Sequence, residues 1–239
     1  MYNRLHHHVL AMALQSLDAD LLARNRCLLG GGTAITLRYG EYRESVDIDF
    51  LVSDLWGYRN LHQLIKEADS LKAIAKAGAV INELREIRST GYSIQSAIGV
   101  GDARIKFEIV LEARIKFDSP ESDDRVCGIA TLTPTDLMAS KLLANVDRWR
   151  DDAFFSRDLI DMAMMQSPKL LPMAIAKAES AYGGSVRRDL AKAVEHVLKQ
   201  PGWLEKCLEA MKMDTPKAVL WKHIKALAAA SKPQSVPLI

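Results

Sequence analysis

The chain has 239 residues, 49% hydrophobic and 26% charged, which is enough for one large core or two smaller ones. Its formal net charge of +2 selects no partner class. No apolar run reaches bilayer length and no secretory leader pattern opens the chain, so a cytoplasmic protein with no membrane partner is expected. Cys27, Cys127 and Cys207 lie too far apart for a metal-ligand motif and fit free thiols in a reducing compartment.

Residues 4–23 carry helical spacing. His6, His7 and His8 sit inside that pattern among Leu5, Val9 and Leu10; adjacent helix positions point in different directions, so the triplet is expected on a helix surface with no metal role. Residues 27–29 read as a short buried strand running into Gly30, Gly31 and Gly32. Residues 33–39 read as a short helix stopped by Gly40. Residues 47–52 alternate as a strand, placing Asp47 and Asp49 on one face and Ile48 and Phe50 on the other. A helix is expected over 58–73, and strands over 92–100 and 104–113 joined by a turn at 99–102. In the second of these strands Ile105, Phe107, Ile109 and Leu111 share one face, and Lys106, Glu108, Val110 and Glu112 the other. A last short strand falls at 126–130.

The pattern then changes. Thr133-Pro134-Thr135-Asp136 opens a helix with a capping hydroxyl, a proline in the first turn and an acid three residues after the cap. From there to residue 230 the spacing is helical, broken at 167–168, 183–184, 201–202 and 215–216, with a frayed tail at 232–237. The expected organisation is an α/β domain over residues 1–130 and an all-helical domain over 131–239. Positive charge gathers at the end: from Val186 onward there are ten Lys/Arg against five Asp/Glu. Arg187, Arg188, Lys192 and Lys199 read as a solvated helix face or as a track for RNA backbone. Met162, Met164 and Met165 read as core filler.

The chemistry concentrates between Gly30 and Phe50. Gly31 and Gly32 let backbone N–H groups face a phosphate with no Cβ in the way, the following helix N-terminus adds partial positive charge, and Thr33 adds a hydroxyl donor. Asp47 and Asp49 are two strand residues apart, roughly 7 Å between Cα atoms. Carboxylates so placed can converge on metal ions spaced about 3.5–4 Å. Each motif alone has a plainer meaning: a tight strand-to-helix turn, or a solvated acidic edge. Asp-x-Asp also serves glycosyltransferases that hold a metal-bound sugar nucleotide. A glycine turn one short helix and one strand ahead of the acid pair instead points to phosphoryl or nucleotidyl transfer.

That arrangement resembles the polymerase-β nucleotidyltransferase superfamily. Within it, Arg43-Glu44-Ser45-Val46-Asp47-Ile48-Asp49-Phe50 resembles the Arg-x-Ser/Thr-x-Asp-Ile-Asp-Phe motif of the AbiEii/AbiGii-type nucleotidyltransferase toxins. Lys141-Leu142-Leu143-Ala144-Asn145-Val146-Asp147-Arg148 is similar to that family's Lys-Leu-x-Ala-x-x-x-Arg helix, and Arg157-Asp158-Leu159-Ile160-Asp161-Met162 to its Arg-Asp-x-x-Asp-Leu motif. The resemblance implies an α+β polymerase-β-like domain with a mixed sheet, followed by a helical domain that completes the site. It also implies Mg²⁺ (or Mn²⁺) and an NTP as ligands, and a separately encoded antitoxin as partner. The acceptor it implies is a tRNA 3′ end or a protein hydroxyl.

Under that resemblance Asp47 and Asp49 hold metal, and Gly31, Gly32, Thr33, Arg43 and Ser45 bind the nucleotide. Lys141, Asn145 and Arg148 fall at i, i+4 and i+7, so one helix face offers two cations and an amide to a triphosphate. Asp158 or Asp161 orients the lysine or the acceptor, while Arg157 and Asp161 alternatively form a surface pair. The superfamily wants a third carboxylate on a neighbouring strand. Glu108, central in its strand, is the expected residue, with Glu112 near the strand end as the alternative. A second function class stays open: a nucleotide- or RNA-binding module that keeps this fold without turnover.

Overall fold

The computed structural model describes residues 2–165, 167 and 169–230. In chain order the elements are α1 (Leu5–Gln15), α2 (Ala19–Arg24), β1 (Leu28–Leu29), α3 (Gly31–Arg38), β2 (Asp47–Val52), α4 (Leu55–Ala68), β3 (Asn82–Ser89), β4 (Ser93–Val100), β5 (Ala103–Leu111), β6 (Arg125–Val126) and β7 (Ile129–Ala130). Helices follow: α5 (Pro134–Arg148), α6 (Arg157–Met164), α7 (Leu170–Tyr182), α8 (Ser185–Lys199), α9 (Trp203–Ala210) and α10 (Lys217–Ala230). The chain divides into two compact units, Met1–Leu137 and Met138–Ile239. No helix among the described residues is long and apolar enough to cross a membrane.

The first unit is built on a five-stranded sheet in the order β1-β2-β5-β4-β3. β2 and β5 run parallel and the other neighbours antiparallel, so the sheet is mixed, as the α+β expectation requires. Ile48, Phe50 and Val52 from β2 and Ile105, Phe107 and Ile109 from β5 are fully buried on one face. The Phe50 and Phe107 rings lie 5.7 Å apart between centroids. Each such side chain stabilises by about 1.5–3 kcal/mol on burial. The strict alternation of these two strands therefore fixes which face stays open for Asp47, Asp49 and Glu108.

Several boundaries differ from expectation for identifiable reasons. The helix expected over 4–23 is two helices, because Asp18 takes an extended conformation and accepts from Leu21 N at 2.9 Å to cap α2. α4 starts earlier than expected, capped by Asp54 accepting from Gly57 N at 2.7 Å, and stops at Asp69 in the left-handed region. A separate 3₁₀ turn, Leu71–Ile74, supplies the rest of that buried stretch. The strand expected over 126–130 is a hairpin, β6 with β7, turning at Cys127 and Gly128 with positive φ. β3 was not expected at all. It is a sheet edge, mostly exposed and interrupted by register shifts against β4.

In the second unit α10 packs against α6, α7, α8 and α9, and α8 against α6, α7 and α9. Leu159, Ile160, Met162, Leu190, Val194, Leu220 and Ile224 fill the interior. Two consecutive left-handed residues, Phe155 and Ser156, precede α6; Trp203 stacks on Phe155 and donates from Nε1 to Ser156 Oγ at 3.0 Å. Pro168 and the tail expected at 232–237 lie outside the described residues.

Candidate functional site

α3 begins at the glycines themselves, two residues before the expected start, so Gly31 and Gly32 form its first turn. Gly30 N donates to Asp49 O at 2.9 Å, which ties the bend to the acid strand. Gly31 has φ +63°, and a Cβ built there would run into Asp49 Oδ2 and lie 3.0 Å from Asp49 Cβ. The Asp49 carboxylate thus sits directly against the bend, where only glycine leaves room. A Cβ at Gly32 would likewise collide with Arg43 Nη2 and lie 3.2 Å from its Cζ, so the guanidinium of buried Arg43 covers the second glycine. The first N–H groups of a helix have no partner within it, so this end favours an anion.

Thr33 and Ser45 are both buried and fasten this corner together. The Thr33 hydroxyl donates to Asp47 O, and Ser45 Oγ lies 2.8 Å from Thr33 Oγ1 as its donor. Their hydroxyl protons are committed to positioning the acid strand in this structure, a different task from the phosphate contact expected of Thr33. Ser45 N donates to His7 Nε2 at 3.2 Å, and His7 Nδ1 is 2.8 Å from Glu41 Oε1. His7, expected on the surface, is therefore a fully buried member of the same network. Helical periodicity counted it as polar, and Glu41 is 34 residues away.

Burial pushes the His7 imidazole below its ordinary value, outweighing the Glu41 carboxylate, while Arg4 and His6 act with burial. Glu41 is also lowered: burial opposes its charge, but hydrogen bonds from Asn3 N, His7 and Arg4 N prevail. The pair is thus a neutral Nδ1–H donating to a carboxylate. The hydrogen bond that Nε2 accepts from Ser45 requires this tautomer.

On the open face of the sheet, Asp49 aligns with Glu108 and Asp47 with Lys106 across β2 and β5. Asp47 and Asp49 are half-buried, and the Asp47 carboxylate takes no hydrogen bond among the described residues. Glu108 Oε1 accepts from Gln95 Nε2 and Oε2 from Lys106 Nζ, each at 2.6 Å. Burial opposes the Lys106 charge, but the Glu108 hydrogen bond and the charges of Glu108, Asp49 and Asp47 outweigh it and hold the ammonium above the ordinary lysine value. Glu112 lies beyond the end of β5, and its carboxylate is taken by Arg114: Nε at 2.8 Å and Nη2 at 2.6 Å. Of the two glutamates, only Glu108 stands opposite the acid pair.

The donor set is all carboxylate oxygen on a partly solvated face, which suits a hard cation such as Mg²⁺ that keeps several waters. Asp47 and Asp49 fit that requirement. Among the described residues no three His, Cys, Asp or Glu side chains already form a cage for an ion, since Glu108 is turned to Gln95 and Lys106.

In the helical unit, Lys141 Nζ lies 2.9 Å from Asp158 Oδ1 and 2.7 Å from Asp161 Oδ2. Arg148 forks onto Asp158 through Nε at 2.6 Å and Nη2 at 2.9 Å. Lys141, Asp158 and Asp161 are all buried. Desolvation works against the Asp158 carboxylate, but Lys141 and Arg148 outweigh it and hold its pKa below the usual range. Both aspartates therefore contact the lysine, where the sequence left open which of the two would act and whether on the lysine or on the acceptor. The surface pair of Asp161 with Arg157 gives way to the buried contact with Lys141, and the Arg157 guanidinium instead lies over the Phe154 ring at 5.1 Å. Asn145 shares the buried face of α5, with no hydrogen-bond partner for Nδ2 among the described residues. Farther along, Arg187 pairs with Glu179, Arg188 with Asp189 and Lys199 with Glu195, so much of the basic C-terminal surface is locally neutralised.

The family described as "Nucleotidyl transferase AbiEii toxin, Type IV TA system" matches residues 13–231. No curated protein matches the chain. Among solved structures, JHP933 from Helicobacter pylori is similar with a TM-score of 0.57 at 17% identity, over 97% of this chain and 92% of that one. A proposed nucleotidyltransferase from H. pylori is similar with a TM-score of 0.46 at 19% identity, over 95% and 91%. At such identity the first likeness speaks for the fold alone.

Proposed function

The chain belongs to the AbiEii nucleotidyl transferase toxin family, and from that premise we propose that it moves an NMP from an NTP to an acceptor hydroxyl with Mg²⁺ at Asp47 and Asp49. As a family member it is a nucleotidyltransferase of a toxin–antitoxin system, with an NTP as substrate and a cognate antitoxin as partner. The observation that carries the finer reading is the contact between the Gly31 bend and the Asp49 carboxylate. It brings an anion-favouring helix end and a metal-binding carboxylate into one corner, as a metal–polyphosphate substrate requires.

A cation held by Asp47 and Asp49 would supply charge neutralisation for the phosphates and a lowered pKa for an attacking hydroxyl. The protein's own groups do the rest. Gly31 and Gly32 present backbone N–H groups to the phosphates. Arg43 lies beside them as a fixed cation, and Thr33, Ser45 and His7 hold the acid strand in register. Glu108, whose Cα pairs with that of Asp49, is the residue assigned in this reading to accept the acceptor proton or complete the metal site. The roles proposed for Lys141 and Arg148 on the triphosphate, and for Asp158 and Asp161 in orienting the lysine, rest on the family resemblance. The acceptor class proposed on the same basis is a tRNA 3′ end or a protein hydroxyl, in the cytoplasm.

The test is incubation of the purified protein with each labelled NTP, Mg²⁺ and total RNA or protein. Asp49→Asn and Glu108→Gln should each abolish incorporation with the circular dichroism spectrum intact, while Glu112→Gln retains it. Undiminished labelling by Asp49→Asn removes the reading, and loss in Glu112→Gln with retention in Glu108→Gln reverses the assignment of the third carboxylate.

A further inference from the structure

Lys106 stands where the metal reading would least place a cation. It is two residues before Glu108 on the same strand face, and its Cα pairs with that of Asp47 across the parallel β2–β5 ladder. Its Nζ is 2.6 Å from Glu108 Oε2. The charges that act on it come from β2 (Asp47, Asp49) and from its own strand (Glu108), while β4 contributes the neutral Gln95, which holds the other Glu108 oxygen. One ammonium therefore lies among three carboxylates, and it occupies the acid that would close the site around a divalent ion.

We propose that Lys106 is a built-in counter-ion of the metal site: it holds Glu108 while no metal is bound, and a divalent cation must displace it. This inference rests on the reading of Asp47, Asp49 and Glu108 as the metal-binding acids. The exposure of the side chain makes displacement feasible. The Lys106 side chain is 53% exposed against 15% for Glu108, so the lysine can swing into water while the carboxylate stays in place. Exposed pairs of this kind are weak. The arrangement keeps the three acids from repelling one another in the free protein. It also sets a threshold for cation binding, because a divalent ion must compete with a tethered one. A metal–nucleotide complex, which brings phosphate oxygens as additional ligands, passes that threshold more easily than the bare ion.

The experiment is Mn²⁺ binding to the full-length protein without nucleotide, read from the paramagnetic resonance signal of free Mn²⁺ and by calorimetry. Removing a unit charge about 5 Å from a divalent ion at a solvated site should tighten Mn²⁺ binding about tenfold in Lys106→Met. Lys106→Arg, which keeps the charge, should bind as the wild type does. The gain should vanish in Lys106→Met combined with Glu108→Gln. Equal or weaker Mn²⁺ binding by Lys106→Met, with Asp49→Asn still weaker than wild type, overturns the role of Lys106 alone. Wild-type Mn²⁺ affinity in Asp49→Asn overturns the metal reading of the site beneath it.

Discussion

Substituting the two bend glycines separates backbone handedness from side-chain crowding. In Gly31→Ala the new residue must hold φ near +63° and place its methyl 3.0 Å from Asp49 Cβ and 3.1 Å from Cγ, on atoms fixed to a central strand. The left-handed conformation costs about 1–2 kcal/mol for an L-residue. Relieving the contact adds a comparable amount, for a total of about 2–4 kcal/mol. For a protein of this size that corresponds to a fall of about 4–16 °C in Tm. Turning the Asp49 carboxylate from the bend should lower labelled-NMP transfer by about 100-fold, the scale of a 1 Å misplacement. Gly32→Ala meets mainly the far end of the Arg43 side chain, and alanine's better helix propensity offsets about 1 kcal/mol. Its stability should stay within about 1 kcal/mol of wild type while transfer still falls. Calorimetric scans and single-turnover transfer on the same preparations decide the matter. Wild-type Tm and transfer in Gly31→Ala would refute the coupling of bend and carboxylate; equal destabilisation by the two variants would refute the handedness argument.

The buried pairs of the helical unit predict that Asp161→Ala, which leaves Lys141 with Asp158 as its remaining carboxylate contact, costs about 3–5 kcal/mol. Urea unfolding should show this as a lowered midpoint at an unchanged slope, and a loss below about 1 kcal/mol would show that the contact is not stabilising. His7 predicts a pH dependence. Its pKa is lower folded than unfolded, so the unfolded chain binds more protons just below pH 6.5. The stability is full above that pH and declines as pH falls through the folded value, by at most about 1.4 kcal/mol per unit. His7→Gln should flatten urea midpoints between pH 5 and 7 relative to wild type; parallel profiles for the two proteins would exclude His7 as the source.

The parts of the site that a local pattern specifies were legible in the sequence. Alternation alone places Asp47 and Asp49 on the face opposite Ile48 and Phe50, and the same rule puts Glu108 on the open face of β5. The Thr133 opener was likewise visible: Thr133 Oγ1 accepts from Asp136 N at 3.2 Å, as its spacing predicts. Features made by distant partners were not legible. His7 scores as polar in any periodicity count, and its burial depends on Glu41 and the Ser45 amide. Lys106 was on the expected face, but only strand pairing shows that it stands beside Asp47. β3 escaped because Glu83, Arg85, Glu86 and Arg88 mask any apolar alternation, a composition that suits an edge and hides a strand. The double hold on Lys141 needed α5 and α6 side by side, which no spacing within either helix reveals.

The bond from Ser45 to His7 ties the first helix to the loop ahead of the proposed metal-binding acids. Cleavage after residue 8 by a protease would leave every motif residue present and the five strands able to pair, yet would remove the imidazole that props the loop ahead of Asp47. Such clipping offers a way to disarm the toxin without touching a single reacting group.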